Sequence, residues 1–161
     1  METIRILLGK ARYVFVITQS LRSSGSGSGA CSARYVQPIV EWQRNDFLVW
    51  IGTSASSRKI AEIRANPEIS LALGNDSAGA NLIIHGKATL YSDVETKKKY
   101  WKPEWLLFFP DGAEARDYIV VKVFPESIEL MDLKRNVTPH PFGLKPLQLV
   151  RRDSDWQALE S

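Results

Sequence analysis

Short segments rich in β-branched and aromatic residues recur along this chain, and turn-forming residues separate them. Such segments favour β-strands, and short turns between consecutive strands favour antiparallel pairing. The predicted strands are Tyr13–Thr18, Tyr35–Glu41, Phe47–Thr53, Ile69–Leu73, Asn81–Tyr91, Tyr118–Phe124, Ser127–Leu133 and Leu147–Val150. The pattern predicts a mainly β fold, a closed or partly closed antiparallel barrel rather than a parallel, doubly wound sheet.

Three details of these strands carry further expectations. Phe47–Thr53 is apolar on both faces, which predicts a central strand. Gly86 interrupts an alternating strand and predicts a bulge or a close backbone approach. A tight turn is expected at Pro125-Glu126. Short helices are predicted at Thr3–Lys10, Ser56–Ala65 and Val94–Tyr100, with a helical turn near Trp156.

Length and composition favour one globular domain over the 161 residues, with a basic extension of that domain at 135–161. No apolar run reaches the roughly 18 residues that span a bilayer. The single cysteine, Cys31, can form no internal disulfide, and the N-terminus lacks the features of a signal peptide, so a cytoplasmic location is expected. Two histidines and one cysteine show no metal-ligand spacing, so no metal site is predicted.

The net charge of +3 is too small for a dedicated nucleic-acid-binding protein. Basic clusters at 97–102 and 134–152 leave two interpretations open, solvated faces or an anionic partner. The stretch Gly25–Gly29 resembles a phosphate loop, but no Gly-Lys-Ser/Thr follows it. It is interpreted as part of a flexible hairpin loop, Ser20–Ser32.

The most specific signal is the segment Gly52–Lys59, in which a buried strand, a short polar loop and a helix follow one another. Arg58 and Lys59 fall in the first helical turn, where the helix dipole disfavours cations. A bound phosphate would remove this conflict, because backbone N–H groups, the hydroxyls of Ser56 and Ser57 and both cations could converge on it. The alternative is that both side chains bend into solvent. Arg34, at the start of a neighbouring strand, could supply a third cation.

With Arg34 and the Gly52–Lys59 segment in this order, the chain resembles the pyridoxamine 5′-phosphate oxidase-like split barrels, in particular the general stress protein 26 branch. The resemblance covers roughly residues 11–132 and rests on the order and spacing of several segments. They are Arg34-Tyr35-Val36, Trp50-Ile51-Gly52-Thr53, Ser57-Arg58-Lys59, Asn66-Pro67 before Ile69-Ser70-Leu71, His85-Gly86-Lys87-Ala88, Lys99–Pro103, Phe109–Gly112 and Val121–Glu129.

The resemblance implies a six-stranded split β-barrel homodimer that holds two FMN molecules at the subunit interface. It assigns the phosphate to Arg34, Ser57, Arg58 and Lys59, and the flavin ring to Tyr35, Val36, Gln37, Gly52 and Thr53. It also implies that the second subunit contributes Asn81, where the oxidases carry a glutamine. Trp101 and Trp105 either close over the ring from the partner chain or belong to the core.

The departures from the family pattern concern the substrate. The true oxidases bind pyridoxal phosphate through an Arg-x-His pair near the C-terminus, and the segment Arg151–Trp156 contains no histidine. The function indicated is therefore a flavoprotein, an FMN-dependent oxidoreductase other than pyridoxamine phosphate oxidase, with no assigned catalytic residue. A deazaflavin or haem in the same pocket remains a variant. The alternatives are a cofactor-free structural barrel and a nucleic-acid-binding barrel.

Overall fold

The computed structural model describes residues 1–21, 30–137, 145–153 and 155–159. Nine strands in these ranges form one antiparallel sheet. They are β1 (Val14–Gln19), β2 (Cys31–Val36), β3 (Ile39–Gln43), β4 (Asp46–Ser54), β5 (Glu68–Asn75), β6 (Ala80–Tyr91), β7 (Tyr118–Asp132), β8 (Leu147–Arg152) and β9 (Asp155–Ala158). The α-helices are α1 (Glu2–Lys10), α2 (Arg58–Ala65) and α3 (Val94–Lys99), and short 3₁₀ turns lie at Asp76–Ala78, Pro103–Leu107 and Gly112–Glu114.

The sheet has the strand order β2-β1-β5-β6-β7-β4-β3, and β8 pairs with β7 while β9 pairs with β8. Inward-facing side chains of seven strands meet the apolar faces of α1 and α2 in one buried cluster. One face of the sheet thus surrounds a single core, and the predicted mainly β, antiparallel barrel class is confirmed. The sheet has nine strands where the resemblance implied six, because β8 and β9 extend it at β7 and because Pro38 divides one segment into β2 and β3.

The strand β4 lies between β7 and β3, so the predicted central strand is confirmed. Phe47, Val49 and Ile51 belong to the main core. Leu48 and Trp50 point the other way, into a second cluster built with residues of the segment 100–118 and of β7. This second cluster positions the segment 103–109 beside the end of β4.

Three local predictions were wrong. The predicted strand Tyr35–Glu41 is two strands, because Pro38 lacks the N–H group that a continuous ladder needs. The strands predicted at Tyr118–Phe124 and Ser127–Leu133 are one strand, β7, and no turn forms at Pro125-Glu126. The segment around Trp156 is the strand β9 instead of a helical turn, because it pairs with β8 as a hairpin.

The bulge predicted at Gly86 is confirmed, and it explains how Pro125 fits inside a strand. The register between β6 and β7 shifts between His85 and Gly86, where Gly86 lies opposite Pro125. A Cβ atom on Gly86 would lie 2.1 Å from the carbonyl oxygen of Phe124. At this point β7 has left β4 and has not yet reached β8, so the missing N–H of Pro125 breaks no ladder.

Two predictions concern segments outside the described ranges. The Gly25–Gly29 stretch lies wholly outside them, as does part of the basic C-terminal extension, at 138–144. Among the described helices, none combines the length and the hydropathy that a membrane span requires.

Candidate functional site

A cleft of about 530 Å³ opens where the ends of β2 and β4 meet the segment 103–109. Its size falls in the range of about 300–1,000 Å³ that is usual for small-molecule sites. The residues that line it are Arg12, Tyr13, Tyr35, Val36, Gln37, Gly52, Thr53, Ser54, Lys59, Glu104, Trp105, Phe108 and Phe109. Lys59, Thr53 and Ser54 make one part of the lining cationic and hydroxyl-bearing, and Tyr35, Trp105, Phe108 and Phe109 make another part aromatic. Arg12 and Glu104 add one charge of each sign.

Lys59 marks the cationic end. Its ammonium donates to the hydroxyl of Thr53 at 2.6 Å and to that of Ser57 at 3.3 Å. Burial lowers the pKa of Lys59, the nearby charge of Arg34 lowers it further, and Glu62 offsets these effects only in part. Lys59 forms no salt bridge with any residue of the described ranges, so a half-buried cation faces the cleft without a carboxylate partner.

The other two predicted cations, Arg34 and Arg58, are held by a carboxylate that the sequence analysis did not single out. Glu62 is 1% exposed. Its oxygens lie 2.5 Å from Nη2 of Arg34 and 3.3 Å from Nε of Arg58. Neither arginine lines the cleft itself, and both pair with Glu62 instead. The i,i+4 spacing of Arg58 and Glu62 is the sequence signal that could have revealed the contact between these two residues.

The serines of the β4–α2 connection divide into two groups. Ser57 occupies the N-cap position of α2, but its hydroxyl makes no capping hydrogen bond and accepts from Lys59 instead. Ser56, expected at the phosphate, contacts Asp117, which accepts from its backbone N–H at 2.9 Å and from its hydroxyl at 3.3 Å. Of the two expected hydroxyls, only that of Ser57 adjoins Lys59.

Trp105 forms the aromatic end of the cleft. Its indole N–H donates to Oε1 of Gln37 at 3.0 Å. A Cβ atom on Gly52 would lie 2.2 Å from its ring and 2.9 Å from the ring of Tyr118. Gly52 therefore provides the space in which Trp105 packs on its own chain. Trp101 also packs within the chain, with its ring centroid 6.1 Å from that of Trp105.

The structure brings six of the ten predicted cofactor residues into the lining of one cleft: Tyr35, Val36, Gln37, Gly52, Thr53 and Lys59. Ser57 adjoins this group through Lys59, while Arg34 and Arg58 are joined through Glu62. Asn81 lies elsewhere, exposed on β6 opposite Gly74 and Met131. The contribution of Asn81 to the site of a second subunit therefore stays a prediction.

Besides Glu62, which does not line the cleft, sequence reasoning missed several residues that do. Arg12 and Tyr13 precede β1, whereas Glu104, Phe108 and Phe109 surround the short 3₁₀ turn. No local pattern identifies them. Glu104, Phe108 and Phe109 reach the cleft only because the segment 100–118 packs against the outer face of β4.

Comparison with known proteins agrees with this architecture. Residues 36–142 match the sequence model of the family described as pyridoxamine 5′-phosphate oxidase like. General stress protein 26 of Bacillus subtilis is 31% identical over 87 residues, which are 52% of this chain and 61% of that protein. The match thus spans about three-fifths of the relative's length.

Solved structures show the same fold. A protein of Clostridium acetobutylicum related to general stress protein 26 superposes with a TM-score of 0.73 at 17% identity, covering 92% of each chain. A pyridoxamine 5′-phosphate oxidase-related, FMN-binding protein of Nostoc punctiforme gives 0.68 at 14% identity, covering 99% of this chain and 96% of that one. With the family match over more than half of its length, the chain belongs to the pyridoxamine 5′-phosphate oxidase-like family.

Proposed function

We propose that this chain binds FMN in the cleft and acts as an FMN-dependent oxidoreductase. The observation that carries the proposal is Lys59, a half-buried cation without a described carboxylate partner, at one end of a cleft whose other end is aromatic. A phosphorylated ligand with a planar ring complements both ends. The FMN-binding relative from Nostoc punctiforme supports the same ligand.

At the phosphate end, Lys59 would bind the phosphate directly, with Thr53 and Ser57 beside it as hydroxyl donors. In the first turn of α2 the backbone N–H of Ile60 donates to the carbonyl of Ser57 at 3.0 Å, and those of Arg58 and Lys59 have no described partner. Free N–H groups at the start of a helix favour an anion. No acidic residue lies in this first turn. Phosphate binding there would oppose both effects that lower the pKa of Lys59, its burial and the repulsion from Arg34.

At the ring end, Val36, Gly52 and Trp105 offer an apolar wall. Because an indole N–H can only donate, the atom of Gln37 facing Trp105 is its oxygen, and the amide nitrogen remains available to an acceptor on the ligand. When bound, FMN supplies hydride or electron transfer, and the chain's own residues bind and orient it. None of the lining side chains is assigned as a catalytic acid or base.

Pyridoxamine phosphate oxidase activity itself is not proposed. Arg151 in the C-terminal segment pairs with the buried Asp46 and lies 3.8 Å from the centroid of the Phe124 ring. It does not line the cleft. Its guanidinium therefore joins β8 to the start of β4, and no histidine accompanies it.

We also propose that two copies associate through the outer face of β1 and β2. Phe15 and Tyr35 stack there with their ring centroids 4.0 Å apart, and Tyr13 lies beside them. Tyr35 is 65% exposed in the single chain. A patch of exposed aromatic rings next to a ligand cleft is typical of an interaction surface. In such a dimer Asn81 of the partner subunit could reach the flavin, as the resemblance implies.

The proposed ligand is tested by titrating FMN against the wild-type protein and Lys59→Met, following flavin fluorescence. Losing one charged contact to a phosphate costs about 1.5–3 kcal/mol, which corresponds to a roughly 10- to 100-fold weaker affinity. Lys87→Met is the matched control, because Lys87 is exposed and pairs with Glu126 away from the cleft. The control should bind FMN as the wild type does.

Equal FMN affinity of Lys59→Met and the wild type would overturn the phosphate assignment. If the wild type bound a deazaflavin or haem but not FMN, the cleft would still be the cofactor site, but the proposal that its cofactor is FMN would be wrong. Salt-sensitive binding of single-stranded nucleic acid without flavin binding would favour the nucleic-acid alternative.

A further inference from the structure

The carboxylate of Glu62 accepts hydrogen bonds from two neighbouring strands, β1 and β2. Thr18 on β1 donates to Oε2 at 2.6 Å, Ser32 on β2 donates to Oε1 at 3.0 Å, and Nη2 of Arg34 lies 2.5 Å from Oε2. Arg58, one helical turn earlier on α2, approaches Oε1 at 3.3 Å. The side chain of Glu62 is completely buried. A buried carboxylate with this many hydrogen-bond donors is held in one orientation, and it holds the side chains of those donors in one orientation as well.

Glu62 allows three cations to share one small region. Arg34, Arg58 and Lys59 would repel one another in its absence, and the charge of Arg34 already lowers the pKa of Lys59. In the described part of the chain, Glu62 is the carboxylate with which both arginines form salt bridges. The local charge remains positive, because one carboxylate faces three cations.

Both arginines keep donors for another acceptor. Arg58 contacts Glu62 through Nε, and its two terminal nitrogens form no hydrogen bond with a described residue. Arg34 binds Thr18 at 2.6 Å and the carbonyl of Ser32 at 3.3 Å through Nη1, which leaves its Nε–H free among the described contacts. Thr18 thus contacts both members of the ion pair, since it donates to Glu62 and accepts from Arg34.

We propose that Glu62 is a positioning residue that holds Arg34 and Arg58 for the terminal phosphate of the ligand, so that the site selects FMN over riboflavin. The inference rests on the proposed FMN function and adds to it the residue that sets phosphate selectivity. Glu62 acts through the arginines and does not touch the ligand.

The test compares the dissociation constants of FMN and riboflavin for the wild type and Glu62→Gln. Removing a negative charge makes the region more positive, so simple electrostatics would strengthen FMN binding. Positioning predicts the opposite. We expect the preference for FMN over riboflavin to fall by about ten-fold or more, because charge-assisted contacts to the phosphate lose their geometry.

Asp132→Asn is the matched structural control. Asp132 is also fully buried and pairs with Arg135, but it lies at the end of β7 and does not line the cleft. Its loss should lower stability while leaving the FMN to riboflavin ratio unchanged. If Glu62→Gln does not fold, Thr18→Val serves instead, since it removes the hydroxyl that joins Glu62 to Arg34 without changing any charge. The same direction of change is expected.

An unchanged ratio, or tighter FMN binding, in the folded variant would overturn the role of Glu62 while leaving the FMN site intact. A wild-type protein that binds riboflavin and FMN equally would overturn it as well. A wild-type protein that binds neither ligand would refute the proposed function itself.

Discussion

At the scale of single residues, the candidate site depends on how charge is distributed around Glu62. The sequence placed Arg58 and Lys59 in the first turn of α2 and Arg34 on a neighbouring strand, and these three cations indicated an anion. The structure adds a buried carboxylate that pairs with two of them and leaves Lys59 facing the cleft. Lys59 therefore offers a phosphate in the cleft a direct contact, while Glu62 holds the other two cations beside it.

The same carboxylate makes stability depend on pH. Burial raises the pKa of Glu62, but hydrogen bonds from Thr18, Arg34 and Ser32 outweigh burial, and the net pKa is lowered on folding. Such a carboxyl group stabilises the fold at pH values above its pKa in the unfolded chain, which is about 4.3. This contribution to the free energy of unfolding is lost as the pH falls through the lowered pKa of the folded state. We expect the difference in free energy of unfolding between the wild type and Glu62→Gln to shrink below about pH 4. Urea denaturation at several pH values measures it, and a constant difference would contradict the assignment.

Gly52 offers a second test at this scale. An added methyl group would collide with Trp105 at 2.2 Å, so Gly52→Ala should destabilise the chain by about 1–3 kcal/mol and displace Trp105. Gly74→Ala is the control, because its Cβ would meet nothing closer than 4.0 Å. Urea denaturation and tryptophan fluorescence report both changes. Equal stability of the two variants would show that Trp105 does not pack on Gly52.

At the scale of elements, the junction between β6 and β7 contains the register shift of the sheet at Gly86. The bulge at Gly86 could be predicted from the sequence, because a glycine interrupts a regular alternation. The continuity of β7 could not, because Pro125 is normally excluded from a paired strand. Only the change of partner strand, from β4 to β8, makes Pro125 acceptable. The division at Pro38 and the strand β9 likewise depend on pairing between elements rather than on local preference.

Gly86→Ala tests the close approach at this junction. Its Cβ would lie 2.1 Å from a backbone oxygen, which cannot rotate away as a side chain could. We expect a loss of about 3 kcal/mol in the free energy of unfolding. Thr89→Ala, at an exposed position of the same strand, should cost much less. Chemical denaturation measures the free energy of unfolding of both variants. Similar losses of stability in the two would argue against a close backbone contact at Gly86.

At the scale of the whole molecule, the central question is how two copies meet. The residues of the cleft lie beside the exposed aromatic face of β1 and β2, so one surface can serve both the ligand and a second copy. Strand periodicity predicted the fold class, and the Gly52–Lys59 segment together with the family resemblance predicted six of the thirteen residues that line the cleft. The roles of Glu62, Phe108 and Phe109 could not be predicted from the sequence, because they arise from contacts between distant segments.

Phe15→Glu tests the proposed association. Phe15 is stacked on Tyr35 but does not line the flavin cleft, so a carboxylate there should oppose association without direct contact with the ligand. We expect the wild type to sediment as a dimer and Phe15→Glu as a monomer. Val94→Glu, at the exposed first position of α3, should remain dimeric. A wild-type monomer, or a dimeric Phe15→Glu variant, would contradict an interface on this face.

The most direct test of the account is the visible absorption spectrum of the wild-type protein after incubation with FMN and gel filtration. We predict that the two absorption bands of oxidised flavin elute with the protein, at one FMN per chain. Protein that emerges colourless would contradict FMN binding in the Lys59–Trp105 cleft, and with it the proposed oxidoreductase function.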